Sequence, residues 1–97
     1  MPTFVVLGNW TQKRMESIKE MPAGLKGATE TFSKYRVKPK ALVFTMGRYD
    51  LVGIFDAPNA EAMSKAFLRW SSQGLLRTET LLGFAPEKMV QIVDGIQ

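Results

Sequence analysis

The stretch from Ala41 to Asp56, which reads ALVFTMGRYDLVGIFD, constrains the fold most strongly. Two apolar runs, residues 41–46 and residues 51–55, flank the short connection Gly47-Arg48-Tyr49-Asp50. Both runs are rich in β-branched and aromatic residues, and the connection contains residues that favour turns, so the pattern predicts a β-hairpin. This hairpin places two antiparallel strands in the middle of the chain.

Two further strands are predicted near the ends of the chain. The run TFVVLGN over residues 3–9 and the run LRTETLLGF over residues 76–84 contain the same strand-forming residue types. Residues 36–40, which include Pro39, are predicted as an extended connector to the hairpin. The chain therefore supplies four predicted strands.

Helices are predicted between the strands. Residues 12–20 show a short helical pattern, and Pro22 suits the first turn of a second helix that runs to about residue 35. Met21 precedes Pro22, so its backbone is predicted outside helical geometry. The clearest helix covers residues 60–72, because apolar residues recur there at i, i+3, i+4 and i+7. These residues are Met63, Ala66, Phe67 and Trp70.

The order of these elements defines a fold class. The order βαββαβ is the ferredoxin-like arrangement, an α+β fold with a four-stranded antiparallel sheet and both main helices on one face. We expect residues 1–97 to form one such domain, because a chain of this length holds one core. A short terminal helix is predicted over residues 86–93, with Met89, Val90 and Val93 turned inward.

The predicted sheet is apolar on both faces, which indicates self-association. In residues 3–9 both sets of alternating positions contain apolar side chains, and residues 41–46 and 51–55 repeat this pattern. Two helices cover one face only, and soluble monomers rarely expose an apolar patch as large as the second face. We therefore predict that the open faces of two copies pack together in a dimeric α/β barrel. The alternative is that residues 86–93 fold back over their own sheet.

The composition excludes several kinds of chemistry. The chain contains no His and no Cys, so zinc, iron–sulfur and histidine-ligated haem sites lack their ligands. Nucleophile pairs that need imidazole or thiol are excluded for the same reason. No carboxylate cluster has the spacing of a calcium loop. No metal and no cofactor are therefore expected, and acid–base chemistry would have to use carboxylates, Lys or Tyr.

Charge and hydropathy narrow the expected partners and location. Residues 13–40 hold eight basic and three acidic residues (+5), and residues 41–97 hold five basic and six acidic residues (−1). A solvated helix face explains the basic half better than nucleic-acid binding, because no nucleic-acid motif accompanies it. No apolar run is long enough to cross a membrane, and the first residues lack a signal-peptide pattern, so we expect a cytoplasmic location.

The polar residues of the hairpin connection form the first candidate group for a site. Gly47 can adopt a positive φ in the turn, and Asp50 can accept backbone N–H bonds there, which favours a structural role. The functional alternative is that Tyr49 and Asp50 line the mouth of a cleft and that Arg48 attracts an anion.

The last predicted strand supplies the second candidate group. Alternation places Arg77 and Glu79 on one face of this strand and Thr78 and Thr80 on the other. A cross-strand or inter-subunit ion pair explains the charged residues more simply than a ligand site does. If a ligand binds there, Arg77 would hold its carboxylate or phosphate group.

Three motifs occur in order along nearly the whole chain. They are Asn9-Trp10-Thr11, Gly47-Arg48-Tyr49-Asp50 and Arg77-Thr78-Glu79-Thr80-Leu81. Together these motifs resemble those of the GYD domain family. The resemblance implies a ferredoxin-like, dimeric α/β barrel and no characterised activity. The hairpin is also similar to the effector-binding domains of AsnC-type regulators, which implies a ligand site between subunits.

A further resemblance concerns Asn9, Trp10 and Trp70. Cofactor-free oxygenases of the dimeric-barrel class have an Asn at the end of the first strand and a Trp on the second helix, which Asn9 and Trp70 match by element and residue type. The haem-degrading members also need a ligating His, which this chain lacks. The alternative is that Asn9 is a turn residue and that the Trp side chains belong to the core.

Three functions stay open from the sequence. The leading hypothesis is a homodimer, or a higher homo-oligomer, that binds a small organic molecule, with an anion as one option, in a cleft between sheet and helices. The alternatives are a cofactor-independent oxygenase or isomerase, and a pure oligomerisation or assembly module. The candidate ligand-binding residues are Asn9, Trp10, Arg48, Tyr49, Asp50, Trp70, Arg77 and Glu79.

Overall fold

Four strands and four helices make up the computed structural model, which describes all of residues 1–97. The strands are β1 (Thr3–Trp10), β2 (Lys38–Phe44), β3 (Leu51–Asp56) and β4 (Leu76–Gly83). The helices are α1 (Gln12–Glu16), α2 (Met21–Lys34), α3 (Ala60–Ser71) and α4 (Pro86–Asp94), with a 3-10 turn at Ile18–Glu20. The sheet order is β2-β3-β1-β4 and every pairing is antiparallel, which confirms the predicted ferredoxin-like α+β fold.

The register of the sheet defines two faces, which we call the covered face and the open face. Phe4 of β1 lies opposite Phe55 of β3, and both side chains belong to the core beneath α2 and α3. Because side chains alternate along a strand, Val5 and its partner Ile54 point to the other side. Neither α2 nor α3 covers that side, so it is the open face.

The core lies between the covered face and the helices α2 and α3. Its centre is a group of aromatic rings, in which the Phe32 ring centroid lies 5.2 Å from those of Phe55, Phe67 and Trp70. Edge-to-face and offset packing of such rings stabilises a core beyond the burial of their area. The buried cluster consists of Phe4, Val6, Ala28, Phe32, Val37, Phe55, Ala57, Met63, Ala66 and Phe67.

The region before α2 differs from its prediction. Residues 12–20 are not one helix, because Ser17 adopts φ −125° and ψ 36° between α1 and the 3-10 turn. The Ser17 hydroxyl donates to the Lys13 carbonyl at 3.2 Å, which satisfies an acceptor near the end of α1. Met21 is helical, with φ −57° and ψ −41°, so the prediction that its backbone lies outside helical geometry is wrong. The steric effect of a following proline is a bias, and Pro22 in the first turn interrupts no helical hydrogen bond.

Strand β2 also differs from the sequence prediction. It begins at Lys38 rather than at residue 41 and ends at Phe44 rather than at residue 46. Lys38 lies opposite Asp56 of β3, and Pro39 lies opposite Phe55, so most of the predicted connector is strand. Pro39 is tolerated because β2 is an edge strand, where an N–H group can lack a ladder partner.

Helix α4 projects from the body of the domain. It has no substantial packing contact with another element, and the molecule is elongated at 53 × 31 × 17 Å. Met89, Val90 and Val93 are all exposed, so the prediction that they turn inward is wrong. The helix is present as predicted, but no other element of the chain covers its apolar residues. None of the helices is both long and apolar enough to cross a membrane.

Candidate functional site

The loop between β2 and β3 is fixed against the end of β1. Gly47 adopts a φ of 129°, which favours glycine because other residues are strained there. The Asp50 N–H donates to the Gly8 carbonyl at 2.8 Å. The Asp50 carboxylate accepts the Trp10 N–H at 2.9 Å. The structure therefore gives Gly47 and Asp50 the structural roles that the sequence favours.

Five of the candidate residues lie at one end of the open face and form what we call the polar rim. Asn9 of β1 lies directly opposite Arg77 of β4. The Tyr49 hydroxyl lies 3.5 Å from the Glu79 carboxylate, at the long limit of a hydrogen bond. The Arg48 guanidinium lies 5.7 Å from the centroid of the Tyr49 ring, within the range of a cation–π interaction.

The rim contains charges of both signs without an ion pair of its own. The ion pairs in the chain are Lys40–Asp56 and Lys65–Glu61, so neither Arg77 nor Glu79 makes a cross-strand ion pair within the chain. Both side chains are exposed, which leaves the predicted inter-subunit pair available. No group of carboxylates in the structure is arranged to hold a metal ion.

The opposite end of the open face carries a second polar group. The Thr3 hydroxyl donates to the Asp56 carboxylate at 2.9 Å, and the Lys40 ammonium lies 3.4 Å from the other carboxylate oxygen. The Thr3 hydrogen bond is the main reason that the pKa of Asp56 is lowered from its ordinary value of 3.8. Partial desolvation opposes this shift, and Lys40 adds to it. The open face therefore has an apolar centre between two polar ends.

The two tryptophans lie on the other side of the sheet from the polar rim. Trp70 packs in the core, with its ring centroid 5.2 Å from that of Phe32. Trp10 stacks on Phe44 at 6.1 Å and borders the same small cavity as Trp70. The sheet separates both indole rings from Asn9, so the structure does not bring together the Asn–Trp pair on which the oxygenase hypothesis depends.

The cleft expected between the sheet and the helices is almost completely filled beside Trp10 and Trp70. Open grooves of about 300 and 240 Å³ lie between α3 and β4, away from the candidate residues. The cavity between α2, α3 and the covered face measures about 10 Å³, which is room for about one water molecule. Trp10, Trp70, Met21 and Leu25 are among the side chains that close it. The chain therefore has no preformed space for an organic molecule among the residues that the sequence proposed.

Arg14 of α1 borders this cavity, and sequence reasoning did not identify it. Its side chain is buried, with 6% of its surface exposed. One guanidinium nitrogen, Nη1, donates to the Ser17 carbonyl at 3.3 Å, whereas Nε has no hydrogen-bond partner. No local signal indicates this burial, because Arg14 follows Lys13 in a polar segment that is typical of a solvated helix.

Comparison with known proteins decides the family. The model of the GYD domain family matches residues 4–93 of the chain. The chain belongs to the GYD domain family. This confirms the resemblance seen in the three sequence motifs.

One relative of this GYD domain protein comes from Thermus thermophilus. It is named "Glutamine synthetase and cystathionine beta-lyase binding protein" and is 30% identical over 82 residues, which cover 84% of this chain and 86% of the relative. Among solved structures, an ACT domain protein from Streptococcus pneumoniae superposes with a TM-score of 0.52 at 7% identity. The superposition covers 100% of this chain and 98% of that protein, and at this identity the likeness concerns the fold alone.

Proposed function

We propose that this GYD domain is a non-catalytic, protein-binding domain that works as a homodimer. The observation that carries the proposal is the uncovered apolar centre of the open face. Val43, Ile54 and Leu81 on this face are 55%, 39% and 45% exposed. Soluble monomers rarely leave contiguous apolar patches of this kind in water, so a second protein surface is expected to cover it.

The open face has the organisation of an interface. The apolar side chains at its centre come from all four strands, and the polar rim and the Asp56 group lie at its two ends. An apolar centre with polar margins is typical of protein–protein interfaces. A twofold axis through this centre would pack the face against its own copy, and Arg77 of one subunit could then pair with Glu79 of the other. The central residues are Val5, Leu7, Ala41, Val43, Val52, Ile54 and Leu81.

The size of the sheet indicates that α4 takes part in the dimer. Four strands about 4.8 Å apart, with about six residues of about 3.4 Å each, cover on the order of 400 Å². A stable interface buries about 800 Å² of accessible surface on each partner, so a sheet with this flat footprint makes a small interface by itself. The exposed apolar side chains of α4, which include Met89, Val90 and Val93, can supply more surface by packing on the second copy.

The protein-binding part of the proposal is supported by the relative from Thermus thermophilus. That protein is named for its binding of two enzymes, and its alignment with this chain covers most of both proteins. The chain has no preformed cavity among the candidate residues, which fits the recognition of a protein surface better than the enclosure of a small molecule there. Glutamine synthetase and cystathionine beta-lyase are therefore the first partners to test.

Surface plasmon resonance with each purified enzyme immobilised tests this function. We expect the wild-type chain to bind at least one of them saturably, and the variant Ile54→Asp to bind more weakly because a charge at the apolar centre separates the two copies. Leu68→Asp is the matched control, because it places the same charge at an exposed position of α3. Failure of the wild type to bind either enzyme, or full binding by Ile54→Asp, would contradict the proposal.

A small-molecule function is the second candidate, and the buried Arg14 is the observation that favours it. Its guanidinium is the buried charge that the chain leaves without a carboxylate partner, and it borders the cavity between sheet and helices. This candidate is tested by measuring the melting temperature of the protein in the presence of each compound of a broad set of metabolites. If no compound of the set raises the melting temperature, the result counts against the small-molecule function.

A further inference from the structure

We propose that Arg14 anchors a binding site for a small organic carboxylate between α1, α2 and the covered face of the sheet. This inference rests on the small-molecule function named above and gives it a residue and a ligand class. It does not depend on the homodimer, because Arg14 borders the covered side and the proposed dimer uses the open face.

Arg14 carries a buried charge that no acidic side chain of the chain neutralises. Arg stays protonated in proteins, and removing its charge from water is strongly unfavourable unless an anion or several hydrogen bonds replace the lost hydration. Arg14 is 6% exposed and takes part in neither of the two ion pairs of the chain. The chain therefore supplies no carboxylate to neutralise this guanidinium, and a bound anion would stabilise it.

The guanidinium of Arg14 is bound to the chain on one side only. Nη1 is held by the carbonyl and the hydroxyl of Ser17, at 3.3 Å and 3.5 Å. Nε is buried without a partner, and Nη2 makes no hydrogen bond within the chain. The N–H groups of Nε and Nη2 lie parallel along one edge of the planar group, which is the arrangement that binds a carboxylate through both of its oxygens. The free edge of Arg14 is thus the carboxylate-binding edge.

The guanidinium edge packs closely against helix α2 at Gly24. A Cβ atom at position 24 would lie 2.7 Å from Nη2 of Arg14, so glycine at this position leaves room for the guanidinium. A Cβ atom at position 27 of the same helix would meet nothing within 4 Å. Two glycines of α2 therefore have different surroundings, and only Gly24 lies against the proposed anchor.

The walls of the cavity define the ligand class. Trp10, Trp70, Leu25 and Leu76 are apolar, and Arg14 is the charged side chain that borders the cavity. Lys13 is directed elsewhere, because its ammonium donates to the Gln73 carbonyl at 3.0 Å. One guanidinium among apolar walls suits a monoanion with a compact apolar group, whereas a phosphate would need more donors than the site offers.

The site must open for such a ligand to enter. Its volume of about 10 Å³ accommodates a water molecule, which the ligand would displace. Met21 lies at the edge of the cavity and is partly exposed, and its unbranched side chain has three rotatable bonds. We infer that rotation of Met21 opens the cavity, since Trp70 on the other side is packed in the core.

Tryptophan fluorescence reports on this site directly, because both tryptophans of the chain border the cavity. The probe is 3-methylbutanoate, titrated at constant ionic strength, with 3-methylbutanamide and inorganic phosphate as comparators. We expect a saturable fluorescence change with the carboxylate, and binding about tenfold weaker or absent with the neutral amide and with phosphate. An equal response to the amide, or no saturable response to the carboxylate, would overturn the proposal.

Two pairs of variants connect the response to Arg14. Arg14→Gln removes the charge, and Arg69→Gln removes an exposed arginine of α3 as its control. Gly24→Ala displaces the guanidinium edge, and Gly27→Ala makes the same change where the added methyl group has free space. We expect Arg14→Gln and Gly24→Ala to weaken binding about tenfold or more, and both controls to bind like the wild type. Undiminished binding by Gly24→Ala and Arg14→Gln would contradict the assignment.

NMR spectroscopy of the side-chain Nε–H signal of Arg14 tests the site in the wild-type protein, so the test does not depend on the folding of Arg14→Gln. Carboxylate binding should move this signal in the wild-type protein, and the other Arg signals should stay in place. A stationary Arg14 signal during a saturable fluorescence change would overturn this site. If a metabolite stabilises the protein while the Arg14 signal stays in place, the small-molecule function survives and the Arg14 site does not.

Discussion

Asp50 joins the loop after β2 to the end of β1 through its carboxylate and its backbone N–H. Its Oδ2 accepts the Trp10 N–H at 2.9 Å, and its own N–H donates to the Gly8 carbonyl. Asp50→Ala should lower the free energy of unfolding by about 1–3 kcal/mol, because the partly buried Trp10 N–H loses its acceptor. Urea denaturation measures this loss, and Asp50→Asn, which keeps an acceptor oxygen, should lose less. Equal stability of wild type and Asp50→Ala would show that the bond contributes nothing.

The two glycines of α2 should respond differently to the same substitution. Gly27→Ala should raise the free energy of unfolding by about 0.5–1 kcal/mol, because alanine favours the helix and the added methyl group meets no other atom. Gly24→Ala should gain less or be destabilising, because its Cβ would lie 2.7 Å from Nη2 of Arg14. Urea denaturation of both variants checks the difference, and equal gains would contradict the described position of Arg14.

The hydrogen bond between Thr3 and Asp56 should make the free energy of unfolding depend on pH in the acidic range. Thr3 is the main cause of the lowered pKa of Asp56, whose ordinary value is 3.8. Because the folded state binds this proton less tightly than the unfolded state, the contribution of Asp56 is complete above pH 3.8 and is lost as the pH falls through the lower folded pKa. Thr3→Val should therefore have a lower free energy of unfolding than the wild type at neutral pH. The difference between the two proteins should shrink as the pH falls below the folded-state pKa of Asp56. Urea denaturation at several pH values measures this, and a difference that is constant with pH would contradict it.

At the scale of elements, the sequence patterns correctly predicted the strands and helices whose formation depends on their own residues. Strand β3 and helix α3 follow their predicted residues closely, because the strand-forming residue types of β3 and the helical spacing of apolar residues in α3 lie within each segment. The start of β2 was missed because Lys38 and Pro39 become strand only through pairing with β3. The break at Ser17 between α1 and the 3-10 turn likewise has no clear signal in the surrounding sequence.

Helix α4 should contribute to association and little to the stability of the single chain. The double variant Met89→Gln/Val93→Gln changes side chains that are exposed in the protomer. We expect its free energy of unfolding at high dilution to stay within about 0.5 kcal/mol of the wild type, because substitutions at free surface positions have small effects. Its dimer dissociation constant should rise about tenfold or more, because apolar interface area is lost.

Sedimentation velocity over a range of concentrations measures the dissociation constant of the α4 variant. Glu87→Gln/Asp94→Asn is the control, because it alters the polar residues of the same helix. If the apolar and the polar double variants associate equally well, α4 does not belong to the dimer interface.

At the scale of the molecule, the sequence predicted the two-faced sheet but not the distribution of the site residues around it. Asn9, Tyr49, Arg77 and Glu79 meet because strand register brings their positions to one end of the open face. Trp70 is apart from them because its helix packs on the covered face. Arg14 could not be predicted, since its burial depends on how α1 and α2 pack, and nothing in its local sequence distinguishes it from a solvated arginine.

The apolar centre of the open face is the basis of the proposed homodimer and of the protein-binding function that depends on it. Multi-angle light scattering of the purified chain at micromolar concentration tests this basis most directly. We expect a particle of twice the 10.9 kDa mass of the chain for the wild type and for Leu68→Asp, and a particle of 10.9 kDa for Ile54→Asp. A wild-type particle of 10.9 kDa at that concentration would rule out the proposed homodimer, because the open face would then be stable in water without a partner.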